Sequence, residues 1–323
     1  MNPKILCIGV ANIDVVAPVD TGFLLRNRID KNTSTLMRSA DIMNILNDLK
    51  DPMIIPGGCA ANTACGIAME GLDVTFVGMI HDDNYGQIFQ SGFQQYGVHY
   101  TPVTHPEKNT AVCLTLVTPD KDRSFVFSPD AASWFLGESH LPERDPSAPL
   151  IVYTESNLFR MTAGTTQTSM LHAVLEKYHA PDAMILLNLI DTEITIHHRQ
   201  AIHNLIRDRQ IDIIISNQDE LMALFSTVNE EDAVAAAAST NQTFITTLSR
   251  DGAYIIQNGI TTHVRNDQIP LEDIVDMVGA GDQFAAGLVT SLARGETLEQ
   301  ACLNGNRQAA KILGVPGARP RAA

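Results

Sequence analysis

The chain has 323 residues, 45% of them hydrophobic and 18% charged, with a net charge of −15 when its histidines are neutral. That composition suits an ordinary globular protein, long enough for one large α/β domain or two smaller ones. The acidity and the lack of any dense Lys/Arg run exclude nucleic acid or an anionic membrane surface as bulk electrostatic partners. A small anion held by a few backbone amides at a helix start is still compatible with it.

The chain opens on MNPKILCIGV, an apolar run too short for a signal peptide's core, which reads as a buried first strand over Ile5–Val10. No window of ~18 uncharged apolar residues follows, so no transmembrane helix is expected. Cys7, Cys59, Cys65, Cys113 and Cys302 are scattered, with neither a CxxC pair nor zinc-ligand spacing. Such a set predicts reduced thiols and a cytoplasmic protein.

Residues 13–56 are polar and irregular around Arg26–Ser34, with a helix predicted over Arg38–Leu49. From there, apolar runs predict strands at Val74–Ile80, Leu150–Thr154, Met184–Ile190, Ile211–Ser216 and Thr243–Leu248. Between them, helical patterns fall at Ala60–Met69, Gly86–Tyr96, Thr165–Tyr178, Ile196–Arg209 and Asp219–Phe225, and the Ala-rich run Ala233–Ala238 is also helix-compatible. Continuous apolar strands alternating with helices predict an α/β fold with a mainly parallel sheet covered on both faces. Thr110–Ser128 breaks the rhythm, because apolar and polar residues alternate there on both sides of Pro119-Asp120-Lys121-Asp122, as in a β-hairpin. Segments 13–56 and 110–128 are therefore expected to form a small β-rich lid. Residues 1–12, 57–109 and 129–323 form the core domain.

Near the C-terminus stands Asp276-Met-Val-Gly-Ala-Gly-Asp-Gln-Phe-Ala-Ala-Gly. Glycines at a helix start let successive N–H groups converge on one point, where the helix dipole adds positive potential. That suits a phosphate, or the charge on a phosphoryl group in transfer. Asp282 on the first turn would stand beside that point as a proton acceptor; as the residue alone it reads equally well as a helix cap. A second cluster lies at Pro56-Gly-Gly-Cys-Ala-Ala-Asn62, with Asn12 and Asp14 at the end of the first strand. A carboxylate, an amide and close glycine backbone suit adjacent hydroxyls of a polyol or ribose, although Asp14 and Asn62 taken singly also read as turn and cap residues. GxxxxGK[ST] is absent, and the first strand ends in Gly9-Val-Ala-Asn rather than GxGxxG, so neither a Walker loop nor a dinucleotide site fits.

Together these motifs resemble the PfkB carbohydrate kinase family, the ribokinase-like kinases, and within it the adenosine-kinase-like branch. The resemblance covers nearly the whole chain: GGCAANTACGIAMEGLDVTFVGMIHDDNYG, DMVGAGDQFAAG, LTLVTPDKDRSF, NQDE, TLSRDG and GARP. It implies a ribokinase-like fold and an ATP-dependent kinase that transfers the γ-phosphate to the hydroxymethyl group of a nucleoside or sugar. In that frame Asp282 is the base, and the N–H groups of Gly279, Ala280 and Gly281 form the anion hole. Asn12, Asp14, Gly58 and Asn62 hold the acceptor's hydroxyls. Asn217 and Glu220 organise Mg²⁺ and the phosphates through water. Thr247, Ser249 and Gly252 border ATP, and Arg123 in the lid matches an arginine that can approach the transferred phosphate, while as a residue alone it reads equally well as a solvated hairpin charge.

Two departures bear on the acceptor. Met277 and Val278 stand where the branch has two threonines, and Ser156-Asn157 where it has Gly-Tyr. Without that aromatic, Phe125, with Phe127 beside it, is the candidate to stack on a base, the alternative for at least one of the two being hairpin core. A nucleoside leads as acceptor. A free sugar (ribose, fructose or a keto-sugar acid) and a non-catalytic nucleotide or nucleoside binder are the alternatives. Activation by K⁺ beside the anion hole and a homodimer joined through the lid, rather than a monomer, are properties that members of this family show and this sequence leaves open.

Overall fold

The apolar runs become neighbours in a computed structural model that describes residues 3–120, 122–162, 168–267 and 269–321. Val74–Val77, Lys4–Ile8, Leu150–Glu155, Ala183–Asn188, Ile213–Asn217 and Thr243–Thr247 lie side by side, all parallel. Ala253–Gln257 and Ile260–Val264 extend that sheet to eight strands as an antiparallel edge. The central strand Leu150–Glu155 is buried along its whole length. Helices pack on both faces, which is why the parallel strands are buried along most of their length rather than alternating.

The predicted run Val74–Ile80 is two strands, because Gly78 interrupts it. Val74–Val77 joins the main sheet, and Met79–Ile80 leaves to pair with Val103–Thr104. The helix expected from Thr165 is described only from Met170 to Tyr178; residues 165–167, like Lys121 in the hairpin turn, lie outside the described residues.

A second, five-stranded sheet has the order Ser34–Leu36, Arg123–Phe127, Ala111–Val117, Asn12–Pro18, Met53–Gly57. Along Asn12–Pro18 burial alternates: Ile13, Val15 and Ala17 are fully buried, and Asn12, Asp14 and Val16 are not. The buried face packs on Phe23 and Leu24 of helix Thr21–Arg26 and on Ile42 and Ile45 of helix Ser39–Asp48. Period-two alternation thereby turns Asp14 to the opposite face, together with its register partner Cys113 and that residue's partner Phe127. This polar face looks across a cleft to the carboxyl ends of the parallel strands, where open α/β sheets bind ligands. Among the described residues no helix is long and apolar enough to cross a membrane, and all five cysteines are free thiols.

Candidate active site

Two cavities open into the cleft and meet at one carboxylate. The larger, of about 450 Å³, is lined by Asn12, Asp14, Gly58, Asn62 and Asp282 and also by Phe127, Trp134, Asn157, Arg160 and Ile194. The smaller, of about 180 Å³, is lined by Asn188, Ser216, Asn217, Glu220 and Thr247. Cys59, Ile190, Gly281 and Asp282 line both.

Two helix starts build the junction. Helix Cys59–Met69 begins after Gly58, whose φ of 94° favours glycine. A Cβ on Gly57 would fall 2.2 Å from the Asp14 carboxylate, so the glycine pair lets the acid lie against bare backbone. Helix Ala280–Ala293 begins after Gly279 at φ 80°, where a Cβ would fall 2.4 Å from Ala318 Cα. Asp276 shapes the turn before it, accepting the Val278 N–H at 3.1 Å and the Gly317 N–H at 3.1 Å. Of the three amides expected in the anion hole, that of Ala280 already points at Met277 O, 3.4 Å away. Gly281 and Asp282 occupy the first turn, where helical N–H groups lack intrahelical acceptors. Nothing lies within 4 Å of a Cβ built on Gly281.

Asp282 is buried. Asn62 Nδ2 donates to its Oδ2 at 2.9 Å, and the Cys59 thiol donates as well. Burial raises its pKa to about 7, the Asn62 and Cys59 donations opposing the shift and the charges of Glu155 and Asp14 adding to it. Asp14, which accepts from Asn12 Nδ2 at 2.7 Å, is raised by burial to about 6 against that hydrogen bond and the attraction of Arg319. Glu220 is raised by burial to about 7. Its two oxygens accept the N–H and side-chain amide of Asn217 at 2.8 and 2.9 Å, while Asn217 Oδ1 accepts the Glu220 N–H. Asn-x-x-Glu is thus a reciprocal helix cap as well as part of the smaller cavity's wall.

Most of the sequence candidates gather here, and four stand apart. Phe127, not Phe125, lines the larger cavity; Phe125 stands two residues farther along the same strand face. Arg123 is exposed four residues from Phe127, roughly 13 Å along an extended strand. Ser249 and Gly252 form the turn after Thr247 without lining either cavity. Met277 and Val278 border the larger cavity and are exposed.

The structure also brings in residues to which the sequence assigned no role. Fully buried Glu155 accepts the Val10 N–H (3.1 Å), the Ala60 N–H (2.9 Å) and the Asn157 amide (3.1 Å), tying the first strand to the Cys59 helix. Trp134, the single tryptophan, is fixed by donation to Ser128 O at 2.6 Å and carries the Arg160 guanidinium 5.4 Å above its ring. Arg319, from GARP, donates to Asn62 Oδ1 at 2.9 Å.

A family model, pfkB family carbohydrate kinase, matches residues 2–322. The chain is 25% identical to an adenosine kinase of Schizophyllum commune over 329 residues, 95% of this chain and 93% of that one. It is also 25% identical to a ribokinase of Haemophilus influenzae over 271 residues, 81% of this chain and 82% of that one. The crystal structure of adenosine kinase from Sinorhizobium meliloti superposes with a TM-score of 0.85 at 27% identity, covering 99% of this chain and 96% of that one. The fold is ribokinase-like, and the chain belongs to the pfkB family of carbohydrate kinases, phosphotransferases with an alcohol group as acceptor.

Proposed function

We propose that this kinase phosphorylates the hydroxymethyl group of a nucleoside, with Asp282 as the base. The observation that carries the reading is the place of Asp282, on the shared wall of the two cavities. An acceptor in one and the phosphates of ATP in the other would meet at this carboxylate. A pKa raised to about 7 suits a group that takes a proton near neutrality.

The larger cavity is lined by two unlike sets of groups, and this favours a nucleoside over a bare sugar. Asp14, Asn12, Asn62 and the Gly58 backbone suit paired hydroxyls, whereas Phe127, Trp134 and Ile194 offer apolar and aromatic surface. A pentose has no flat apolar face to set against those rings. Phe127 and Trp134 would take the stacking role expected of Phe125.

In the reaction the acceptor's O–H proton passes to Asp282 as its oxygen bonds to the γ-phosphorus. The bond from that phosphorus to the β,γ-bridging oxygen breaks, ADP departs with those electrons, and Asp282 later returns its proton to solvent. The first-turn amides at Gly281 and Asp282 receive the charge on the transferred group. Glu220 and Asn217 would hold Mg²⁺ through its waters, since their oxygens retain lone pairs beyond the helix cap and no group of three acidic, His or Cys ligands stands among the described residues. When bound, the ion neutralises phosphate charge. The five-stranded sheet, with segments 13–56 and 110–128, acts as the lid. Its closure excludes water and brings Arg123 toward the phosphate. With its thiols free, the enzyme works in the cytoplasm, as a monomer or a lid-joined dimer.

The test is ATP consumption by the purified protein with Mg²⁺ and K⁺ against nucleosides and free sugars, with Asp282→Asn run in parallel. Turnover of a nucleoside, lost in the variant, is expected. Turnover of free sugars alone would overturn the acceptor class. No turnover, with nucleoside still quenching Trp134 fluorescence, would favour a binding protein of this fold.

A further inference from the structure

We propose that Arg319 is a positioning residue for phosphoryl transfer, locking the Asn62 amide so that its nitrogen rather than its oxygen faces Asp282. The inference rests on the reading of Asp282 as the base.

Arg319 is 8% exposed. Its Nε donates to Asn62 Oδ1 at 2.9 Å, and its Nη2 reaches the Gly57 carbonyl at 3.3 Å. The guanidinium lies over the rings of Phe93 and Phe89, 5.1 and 5.7 Å from their centroids. A guanidinium only donates, so the atom of Asn62 that faces it must be the oxygen, and Nδ2 is left to donate to Asp282 Oδ2 at 2.9 Å. The two faces of a side-chain amide interchange by a half-turn about χ2, a torsion with a broad, nearly two-fold profile. A flipped Asn62 would aim a lone pair at the carboxylate. The main chain of Asn62 is held separately, its carbonyl accepting from Gln283 Nε2 at 3.2 Å, so Arg319 controls the side chain and not the helix.

Packing alone does not account for the residue. Its Nη1 is buried without an acceptor among the described residues. A methionine would cover Phe89 and Phe93 without the cost of desolvating a charge and stranding a donor. The guanidinium also joins the two helix starts, touching the glycine pair beside Asp14 through Gly57 and the base through Asn62.

The same contact sets the titration of the base. Asp282 faces the Cys59 thiol, the Glu155 and Asp14 carboxylates and the Tyr153 hydroxyl, and its backbone oxygen accepts from Thr63. Of these, Glu155 and Asp14 oppose its ionisation, and the Asn62 donation favours it. Freeing Asn62 therefore moves Asp282 upward.

The experiment compares wild type, Arg319→Met, Arg319→Lys, Asn62→Ala and the double variant Asn62→Ala/Arg319→Met. Each is measured for kcat, acceptor KM, the acid limb of kcat/KM and thermal midpoint. The Asp282 carboxyl is also titrated by carbon NMR, which needs no turnover. Arg319→Met is expected to lower kcat by about tenfold or more with a smaller effect on KM, and to raise the Asp282 midpoint. In the Asn62→Ala background it should change neither, since the effect runs through that amide. Arg319→Lys, which keeps the charge and one donor, should recover most of kcat, and its Asp282 midpoint tests the inference even if Arg319→Met does not fold. Losses that add between the two sites, or an Asp282 midpoint unmoved in every Arg319 variant, would overturn the proposal. If the wild type phosphorylates nothing, the kinase reading fails. The NMR titration then decides the positioning role by itself.

Discussion

The two helix starts that meet at the junction use the same device to different ends. Each opens on a glycine with positive φ and carries no side-chain cap. At the Cys59 helix, however, the Ala60 N–H is already taken by Glu155, a carboxylate supplied from the neighbouring strand. That terminus has its anion built in, and what it presents to the cavity is the glycine backbone beside Asp14. At the Ala280 helix the carboxylate of the first turn, Asp282, turns to Asn62 on the other helix. That positive end is left for an anion from outside. A glycine-opened helix start is thus a general anion site, and what already occupies it decides whether it holds structure or ligand.

The sharpest way to break this contrast is Asp282→Asn. It keeps the shape and removes the proposed base, so kcat should fall about a thousandfold, measured in the ATP-coupled assay. Stability should move the other way. The folded pKa of Asp282, about 7, lies above its unfolded value of 3.8, so its contribution is fully present below the unfolded value and is lost as pH rises through about 7. At about pH 8 the asparagine variant escapes that loss and should melt several degrees higher than wild type. By the same assignment, wild-type kcat/KM should rise with pH along an acid limb centred near 7, and that limb should be absent from the variant's residual activity.

Next come the glycines of the open helix start, which separate conformation from access. Gly279→Ala places a Cβ 2.4 Å from Ala318 Cα at a left-handed φ. It should cost about 3 kcal/mol of stability and on the order of a hundredfold in kcat. Gly281→Ala meets no atom within 4 Å and gains helix propensity, so its thermal midpoint should hold or rise. Its methyl group enters the space shared by the two cavities, and kcat should still fall about tenfold. Equal stability losses in the two variants would show that neither position is specialised.

How much of this was legible depended on whether the signal was local. The parallel strands were, because burial on both faces writes a continuous apolar run, and so were the glycine-opened helix starts, whose turn chemistry is contiguous. The antiparallel edge Ala253–Gln257 and Ile260–Val264 carries a local signal of its own: Asn258-Gly259, both at positive φ, is the hairpin turn between the two strands. Phe125 and Phe127 share one strand face, and only the register, which sets Phe127 in line with Cys113 and Asp14 and Phe125 in line with Thr115 and Val16, decides which reaches the cavity. No single-chain pattern carries that. Trp134, Glu155 and Arg319 were out of reach for a stronger reason. Their partners lie 6, 95 and 257 residues away, and for the latter two nothing short of the folded sheet order places the groups together.

The smallest effect, and the finest test of the comparison, belongs to Glu155→Gln at the occupied helix start. A glutamine oxygen can serve Ala60 or Val10, while its NH₂ would face the other N–H, leaving one buried donor unpaired at a cost of about 2 kcal/mol. Because Glu155 lies on the wall and not at the junction, kcat should fall only about threefold. Burial holds the Glu155 pKa above its ordinary value, so its contribution to stability is fully present at low pH and declines as pH rises through the folded pKa. Glutamine has no such slope. The stability gap between wild type and variant, followed by denaturant unfolding from about pH 5 to about pH 9, should therefore narrow with rising pH. A gap that widened would mean that ionised Glu155 is stabilised by its three donors beyond the cost of its burial. The occupied helix start would then owe its order to charge.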